Sequence, residues 1–207
     1  MIELRQLEHT YADLPIRYPD WQVEDQGHAL ILGTSGSGKT TLLHLICGLL
    51  KPTAGEILFN GQSFAGLSTK KRDRFRGEHI GIVFQRPHLV KSLTVLENLK
   101  LAAYLSGKKV SSDKYLHVLE ALQLGDLKKR KAHELSEGQA QRVSIARAVI
   151  HDPILLAADE PTASLDDANC SRVLHLLKQQ ASDRNATLLI ATHDHRIKSS
   201  FTNQLVL

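Results

Sequence analysis

The hydrophobic positions of this 207-residue chain fall into short continuous runs separated by longer amphipathic stretches. Helical patterns lie at about 39–50, 94–106, 112–124, 137–151 and 167–181. The runs predict strands at HALILG (28–33), EILFNG (56–61), IGIVFQ (80–85), ILLAADE (154–160), TLLIATHD (187–194) and QLVL (204–207). Because these runs are continuous rather than alternating, we expect strands buried on both faces, as in a mostly parallel sheet covered by helices. The pattern therefore predicts an α/β fold.

The stretch from about 86 to 150 departs from this alternation. It is typical of several helices in succession, begins at Pro87 and is divided by the segment SGKKVSSD at 106–113. We expect a helical subdomain inserted into a single domain that spans 1–207. Residues 1–85 and 151–207 would then form the α/β core, and the chain is long enough for such a second lobe.

Composition narrows the class of protein only slightly. A charged fraction of 23% and a hydrophobic fraction of 42% are ordinary for a soluble globular chain. No run approaches 18 apolar residues, and the first twenty residues contain no signal-peptide core, so we expect a cytosolic chain. Cys47 and Cys170 lack disulfide or zinc spacing and are expected to be buried small hydrophobes. The basic runs at 68–77 and 127–131 are typical of solvated faces, with an anionic membrane surface or nucleic acid as alternatives.

The segment GTSGSGKT follows an apolar strand and precedes a helix, which is the context of a phosphate-binding loop. Its glycines let the backbone approach phosphates closely, and the helix start adds positive partial charge. Lys39 is expected to reach the β- and γ-phosphates of a nucleotide, and Thr40 to offer its hydroxyl to Mg²⁺. The predicted nucleotide-binding residues of this segment are Gly33, Thr34, Ser35, Gly36, Ser37, Gly38, Lys39, Thr40 and Thr41.

Two carboxylates, Asp159 and Glu160, follow the buried strand in ILLAADEP. Ligands of open α/β sheets bind at the carboxyl ends of parallel strands. We expect Asp159 to hold Mg²⁺ through a water molecule and Glu160 to polarise the water that attacks the γ-phosphate. Without a phosphate loop upstream, the same pair would more often be an ordinary strand end.

Single polar residues, Gln85 and His193, follow two further strands. Each by itself would more often be an ordinary residue at a strand end. Parallel strands end at one edge of a sheet, so we expect both side chains to meet Asp159 and Glu160 near the γ-phosphate.

The pentapeptide LSEGQ at 135–139 has two interpretations. Ser136 with Gln139 three residues later predicts a capping box at a helix start. The free N–H groups of a helix start also form an anion site, which a phosphate from another molecule could occupy. The local pattern leaves both open.

Taken in order, these motifs resemble the nucleotide-binding subunit of an ABC transporter along almost the whole chain. GTSGSGKT is similar to the phosphate loop of that family, Gln85 to its Q-loop, LSEGQ to its LSGGQ signature, LAADEP to its Walker B motif, SLD at 164–166 to its D-loop and His193 to its H-loop. The segment FRGEHIGIVFQRPHLVKSLTVLENL is similar to the branch that contains lipoprotein-releasing, macrolide-exporting and division-associated ATPases.

The resemblance implies a P-loop NTPase core with an antiparallel N-terminal β subdomain and a helical subdomain. It also implies ATP and Mg²⁺ as cofactors and a head-to-tail homodimer in the ATP-bound state. The expected contacts of the signature with the partner's ATP come from Leu135, Ser136, Glu137, Gly138 and Gln139. The expected D-loop link between the two sites comes from Ser164, Leu165 and Asp166. The expected Mg²⁺ site uses Thr40, Gln85 and Asp159, the last through water.

Other implied roles concern single residues. Glu160, His193 and Gln85 are the expected catalytic group, in which His193 contacts the γ-phosphate. Tyr11 is the expected aromatic residue for adenine stacking, and Tyr18 is the alternative.

The same resemblance implies separate integral membrane permease subunits as partners and a peripheral location at the cytoplasmic face of the inner membrane. One residue departs from the family pattern, since Glu137 stands where the signature usually has glycine. The alternative function is a soluble ABC-type ATPase switch that acts on nucleic acid or the ribosome, but basic charge is its only support, and we expect no nucleic-acid partner. A P-loop kinase of small molecules is a third class, which LSEGQ and Glu160 argue against.

Overall fold

A computed structural model describes residues 1–11, 14–64, 66–163 and 165–207, and their strands form two sheets of five strands each. The strands are β1 (Ile2–Tyr11), β2 (Leu14–Arg17), β3 (Trp21–Val23), β4 (His28–Leu32), β5 (Ala54–Phe59), β6 (Gln62–Ser63), β7 (Ile80–Val83), β8 (Leu155–Asp159), β9 (Thr187–Thr192) and β10 (Asn203–Val206). The helices are α1 (Lys39–Ile46), α2 (Thr69–His79), α3 (Val95–Ser106), α4 (Ser112–Ala121), α5 (Glu137–Val149) and α6 (Asp167–Ser182).

The central sheet is entirely parallel, in the order β10-β4-β9-β8-β7. Successive residues of its strands enter two different hydrophobic clusters. In β4, Leu30 and Leu32 belong to one cluster, whereas Ala29 and Ile31 belong to the other. This confirms the predicted burial on both faces and explains why the strand sequences are continuously apolar.

Different elements cover the two faces of the parallel sheet. Helices α3 to α6 contribute to the cluster on one side, and α1 with strands β1 and β5 contributes to the cluster on the other. Cys47 and Cys170 are free and buried, one in each cluster, as their spacing predicted. The sheet is therefore the middle layer of the molecule, and the residues predicted to form the site lie at its edge.

Side-chain caps set the starts of the helices between β7 and β8. Thr94 and Glu97 form a capping box at α3, and Ser111 caps α4. Gly107 ends α3 with a left-handed φ of 71°, which glycine adopts without steric cost. Helix α5 packs on β7 and α3, so these helices share the core of the parallel sheet. No helix in the described ranges is long and apolar enough to cross a lipid bilayer.

The run EILFNG does not belong to the parallel sheet, which continuous hydrophobicity favours, but to the antiparallel N-terminal sheet that the family resemblance implies. Its strand, β5, pairs antiparallel with β1, which also pairs with β2 and β3. Only Ile57, Leu58 and Phe59 of β5 are buried, while its first half is exposed. The apolar half is as hydrophobic as a parallel strand, so hydropathy alone did not distinguish the two sheets.

Helix α2 is not among the helices that hydrophobic periodicity predicts, because its sequence TKKRDRFRGEH overlaps the basic run at 68–77. Ser68 caps its start, and the guanidinium of Arg76 donates to the carbonyl oxygen of Gly48 at 3.0 Å. The Phe75 ring packs against Phe59 and Phe64, with ring centroids 5.3 and 5.0 Å away. A single large apolar residue, Phe75, does not give the repeating hydrophobic pattern that predicts a helix. This helix therefore depends on tertiary packing.

Candidate functional site

The phosphate-binding segment connects β4 to α1. Gly36 and Gly38 have positive φ angles of 82° and 95°. A Cβ atom on Gly33 would lie 2.5 Å from Ser37 Oγ, so close packing also requires glycine there. Gly38 is the N-cap of α1 and contributes no side-chain cap, which leaves the first N–H groups of the helix to a ligand.

Lys39 is the first residue of α1, and its side chain is buried. Its Nζ donates to the carbonyl oxygen of Thr34 at 2.7 Å and lies 3.8 Å from Glu160 Oε1. A buried ammonium group needs such partners, because an unpaired charge is costly in a protein interior. The loop therefore holds a positive charge next to the strand-end carboxylates.

The two tyrosines considered for adenine stacking have opposite environments. Tyr18 is only 4% exposed, and its hydroxyl donates to the Gly38 carbonyl oxygen at 3.2 Å. Burial raises the pKa of Tyr18 to about 12. Because its ring is enclosed, Tyr18 supports the loop from behind and offers no open face for stacking. Tyr11 lies at the end of β1 with 72% exposure, so its ring is accessible.

Asp159 is the last residue of β8 and is buried. Its Oδ1 accepts a hydrogen bond from the Thr40 hydroxyl at 3.1 Å, which joins the sheet edge to α1. Burial raises the pKa of this carboxyl, and the hydrogen bond from Thr40 opposes that shift. The pair presents two oxygen ligands at one point, as a hard divalent cation requires.

Glu160 follows Asp159 in a left-handed backbone conformation, with a φ of 46°. Residues with a Cβ adopt this region rarely, and such exceptions cluster at functional sites. The Thr192 hydroxyl donates to Glu160 Oε2 at 2.7 Å, and His193 Nδ1 lies 2.9 Å from Glu160 Oε1. The His193 backbone N–H also donates to Oε1 at 3.2 Å. The ends of β8 and β9 thus meet around one carboxylate.

Gln85 follows β7, the strand next to β8. The pairing of Val83 with Ala158 brings Gln85 level with Glu160 on the neighbouring strand. Its side chain is exposed and, in the part of the chain that the structure describes, makes no hydrogen bond to Asp159, Glu160 or His193. The structure therefore joins Lys39, Thr40 and the β8 and β9 residues through side-chain contacts but leaves Gln85 apart.

The pentapeptide LSEGQ starts α5 with the predicted capping box. The Ser136 hydroxyl accepts from the Gln139 N–H at 3.3 Å, and Gln139 Oε1 accepts from the Ser136 N–H at 3.0 Å. Leu135 packs against the core, whereas Glu137 and Gly138 are exposed. A Cβ on Gly138 would meet no atom within 4 Å, so packing within this chain does not require glycine there.

The SLD segment precedes α6. Ser164 lies outside the described residues. Leu165 packs against the core, and Asp166 caps α6 by accepting from the Asn169 N–H at 2.8 Å. Hydrogen bonds from Asn169 lower the pKa of Asp166, so this carboxylate is ionised at neutral pH.

Sequence reasoning missed the residues behind the strand ends. Thr192, Asp194 and Arg196 form a hydrogen-bonded group next to Glu160 and His193. Their only signal is the polar run THDHR after an apolar strand, which does not say which side chains turn inward.

Comparisons with known proteins identify the family. A family model described as ABC transporter matches residues 17–163. The lipoprotein-releasing system ATP-binding protein LolD of Buchnera aphidicola is 39% identical over 201 residues, which cover 94% of this chain and 88% of that protein. The ABC transporter ATP-binding protein YtrE of Bacillus subtilis is 39% identical over 211 residues, covering 96% and 91% of the two chains.

Solved structures agree with these sequence matches. The dimeric structure of MJ0796, a bacterial ABC transporter cassette, superimposes with a TM-score of 0.88 at 31% identity, over 100% of this chain and 94% of that one. A dimeric post-hydrolysis state of MJ0796 bound to ADP and phosphate gives a TM-score of 0.87 at 29% identity, with the same coverage of both chains. The predicted fold class is confirmed. The chain belongs to the ABC transporter family, as an ATP-binding subunit that hydrolyses ATP.

Proposed function

We propose that two copies of this chain close head to tail around two ATP molecules and use the cycle of closure, hydrolysis and reopening to drive separate membrane subunits. Each ATP would lie between the phosphate loop of one copy and residues Ser136 to Gly138 of the other. The open space around Gly138 supports this arrangement, because it leaves room for a phosphate from another molecule. The solved dimers of MJ0796 support the same stoichiometry.

The position of Glu160 is the observation that carries this proposal. Its carboxylate is held on both oxygens, by Thr192 and by His193, within 3.8 Å of Lys39 Nζ. A carboxylate fixed in this way would accept a proton from a water molecule while the γ-phosphate is attacked. Fixing the side chain before the reaction removes the cost of orienting it during the reaction.

Thr40, Asp159 and Gln85 would hold Mg²⁺, Asp159 through a water molecule. The Thr40 hydroxyl and Asp159 Oδ1 already lie 3.1 Å apart, so both oxygens face the same point. All three side chains offer oxygen atoms, which are the ligands that Mg²⁺ prefers. When bound, the ion supplies positive charge that stabilises the phosphate oxygens during transfer. Without it, the two strand-end carboxylates would face anionic phosphates, with Lys39 as the nearby ammonium group that offsets part of their charge.

Lys39 and His193 complete the set of polar groups in one copy. Lys39 would exchange its bond to the Thr34 carbonyl oxygen for the β- and γ-phosphates of ATP. His193 Nδ1 already pairs with Glu160, so its Nε2 is the ring atom that would contact the γ-phosphate. Leu165 and Asp166 would contact the second copy beside its nucleotide, and Tyr11 would stack on adenine.

The membrane partners would be integral permease subunits seated on the helical subdomain, at the cytoplasmic face of the inner membrane. Two side chains at the end of α3 support this assignment, because Tyr104 and Leu105 are 81% and 70% exposed. Neighbouring large apolar groups in water are unusual on a surface without a partner. They lie within the segment 86–105 that follows Gln85, where nucleotide-dependent movement would reach a partner.

The Glu160→Gln variant tests this function. It should bind Mg·ATP normally, turn over about 100- to 10,000-fold more slowly and accumulate as an ATP-bound dimer, because the amide does not take a proton from water. Gel filtration with and without ATP measures the dimer, and phosphate release measures turnover.

The matched control is Lys39→Ala, which removes the charge on the β/γ-phosphates and should lose nucleotide affinity itself. A Glu160→Gln protein that hydrolyses ATP at the normal rate and stays monomeric contradicts the proposal. Unchanged ATP affinity in Lys39→Ala contradicts the role of the phosphate loop.

A further inference from the structure

The Arg196 side chain joins the segment that follows β8 to the segment that follows β9. Its Nη1 donates to the Leu165 carbonyl oxygen at 3.0 Å and to Asp167 Oδ1 at 2.6 Å, and its Nη2 donates to the Thr162 carbonyl oxygen at 3.3 Å. These acceptors belong to the segment from Thr162 to Asp167, which begins two residues after Glu160 and contains the SLD motif at 164–166. The same guanidinium also donates to Asp194, the neighbour of His193.

The contact with Asp194 is bidentate. Arg196 Nε lies 2.9 Å from Asp194 Oδ1, and Nη2 lies 2.8 Å from Oδ2, which also accepts from the buried Thr162 hydroxyl at 2.9 Å. These hydrogen bonds hold the pKa of Asp194 well below its usual range. A planar guanidinium can bind both carboxylate oxygens and still reach backbone carbonyls on its other side, which an ammonium group cannot do.

From Asp194 the hydrogen bonds continue to Glu160. The Asp194 backbone N–H donates to Thr192 Oγ1 at 3.0 Å, and that hydroxyl donates its only proton to Glu160 Oε2 at 2.7 Å. Thr192 is fully buried, so water does not compete for this hydroxyl. The direction of the bond to Glu160 thus depends on where Asp194 is held.

We propose that Arg196 is a positioning residue for ATP hydrolysis, which ties the segment from Thr162 to Asp167 to Asp194 and so sets the orientation of Glu160 through Thr192. Among the described residues, Arg196 makes no hydrogen bond to the phosphate loop or to Glu160. Contact between this segment and a second copy of the chain is part of the proposed function, and this part of the inference rests on it. Movement of the segment at such a contact would then pass to Glu160 through Arg196, Asp194 and Thr192.

The Arg196→Gln variant separates positioning from binding. We expect kcat to fall about 10- to 100-fold, because the rate of the reaction falls steeply when a catalytic side chain, here Glu160, is displaced from its position. ATP affinity should stay within about twofold of the wild type, because the loop at 33–40, which Arg196 does not hold, supplies most of the proposed phosphate contacts of one copy. The matched control is Arg172→Gln, since Arg172 is exposed on α6 and its hydrogen bond to Asn169 is long, at 3.5 Å.

The Arg196→Lys variant distinguishes a positioning role from a general structural one. Lysine keeps a positive charge beside Asp194, so the thermal unfolding temperature of Arg196→Lys should equal that of the wild type. An ammonium group cannot bind both Asp194 oxygens and the two backbone carbonyl oxygens at the same time. We therefore expect Arg196→Lys to have wild-type stability and wild-type ATP affinity, but a kcat at least about tenfold below that of the wild type. If Arg196→Gln does not fold, Arg196→Lys alone decides, and wild-type kcat in it overturns the proposal.

Failure of this inference is distinct from failure of the proposed function. A Glu160→Gln protein that forms no ATP-dependent dimer contradicts the proposed function. Wild-type kcat in Arg196→Gln, with that dimer intact in the Glu160→Gln protein, overturns the role of Arg196 alone. A loss of ATP affinity in Arg196→Gln as large as its loss of kcat also overturns it.

Discussion

Among single residues, Glu137 is expected to stabilise the monomer but to oppose closure of the proposed dimer. It is the first residue of α5, where a negative charge stabilises the helix start by about 0.3–1 kcal/mol. In the proposed dimer it would face the partner's γ-phosphate. At about 8 Å and an effective dielectric of about 40, each unit of phosphate charge would repel it by roughly 1 kcal/mol.

We therefore predict that Glu137→Gly slightly lowers the stability of the monomer but lets the dimer close at several-fold lower ATP concentration. The measurement is the ATP dependence of dimerisation in the Glu160→Gln background, at low and at high salt. The gain should shrink as salt rises, because ions screen the repulsion.

Asp113→Gly is the control for this experiment, since Asp113 lies in the first turn of α4, which has no proposed phosphate partner. It should lower stability in the same way and leave dimerisation unchanged. An unchanged or higher ATP requirement in Glu137→Gly at low salt would show that the carboxylate points away from the phosphate.

Among the elements, the turn between α5 and β8 is held by cations. Lys108 Nζ donates to the His151 carbonyl oxygen at 2.8 Å, and Arg184 Nε donates to the Val149 carbonyl oxygen at 3.1 Å. Positive charge at the C-terminal end of a helix is favourable. The His151 ring is buried in the same turn, and burial together with the charge of Lys108 lowers its pKa to about 4.

This lowered pKa predicts a loss of stability in mild acid. The unfolded chain takes up a proton on His151 below about pH 6.5, whereas the folded chain does so only below about pH 4, so stability falls as pH falls through that window. Between pH 7 and pH 5 the contribution is about 2 kcal/mol.

Urea unfolding at both pH values checks the prediction. The His151→Gln variant should lose about 2 kcal/mol less than the wild type between pH 7 and pH 5, even if it is less stable at both. His28 and His79 also have lowered pKa values, so part of the wild-type pH dependence remains in the variant. His175→Gln replaces an exposed histidine of α6 as the control, and an equal loss in all three proteins would contradict the assignment to His151.

At the scale of the whole molecule, the parallel sheet connects the nucleotide site to the proposed membrane contact. Asp159 ends β8 and Glu160 follows it, while α3 and α5 pack over one face of the same sheet. Helix α3 carries Tyr104, and LSEGQ lies at the start of α5. A rigid sheet with helices packed on it moves as a unit, so closure at one edge can displace the surface at α3.

We predict that an integral membrane protein co-purifies with the tagged chain from detergent-solubilised membranes. The Tyr104→Ser, Leu105→Ser double variant should reduce its recovery about fivefold or more, because both side chains would lose a buried apolar contact. Leu14→Ser is the control, since Leu14 is 73% exposed on β2. Equal recovery with both variants, or ATPase activity stimulated by added RNA or DNA, would contradict the membrane assignment.

The local features of this chain follow from short stretches of sequence. The glycines of GTSGSGKT, the capping box of Ser136 and Gln139, and the continuous apolar strands each depend on residues within a few positions of one another. Backbone conformation, helix capping and burial are set at that range, so the phosphate loop, the start of α5 and the parallel sheet were predictable. The order of parallel strand ends also predicted that Gln85, Asp159, Glu160 and His193 would meet. Glu160 and His193 do so beside Asp159, whereas the Gln85 side chain makes no hydrogen bond to them among the described residues.

Contacts between distant segments were decided only by the tertiary structure. Hydropathy did not assign β5 to the antiparallel sheet or find α2, because one depends on pairing with β1 and the other on packing of a single phenylalanine. Tyr18 beneath Gly38, and Arg196 between Thr162 and Asp194, are polar or aromatic residues in ordinary sequence surroundings. Their positions follow from which loops the fold brings together, and a side chain many residues away carries no local sign of that neighbour.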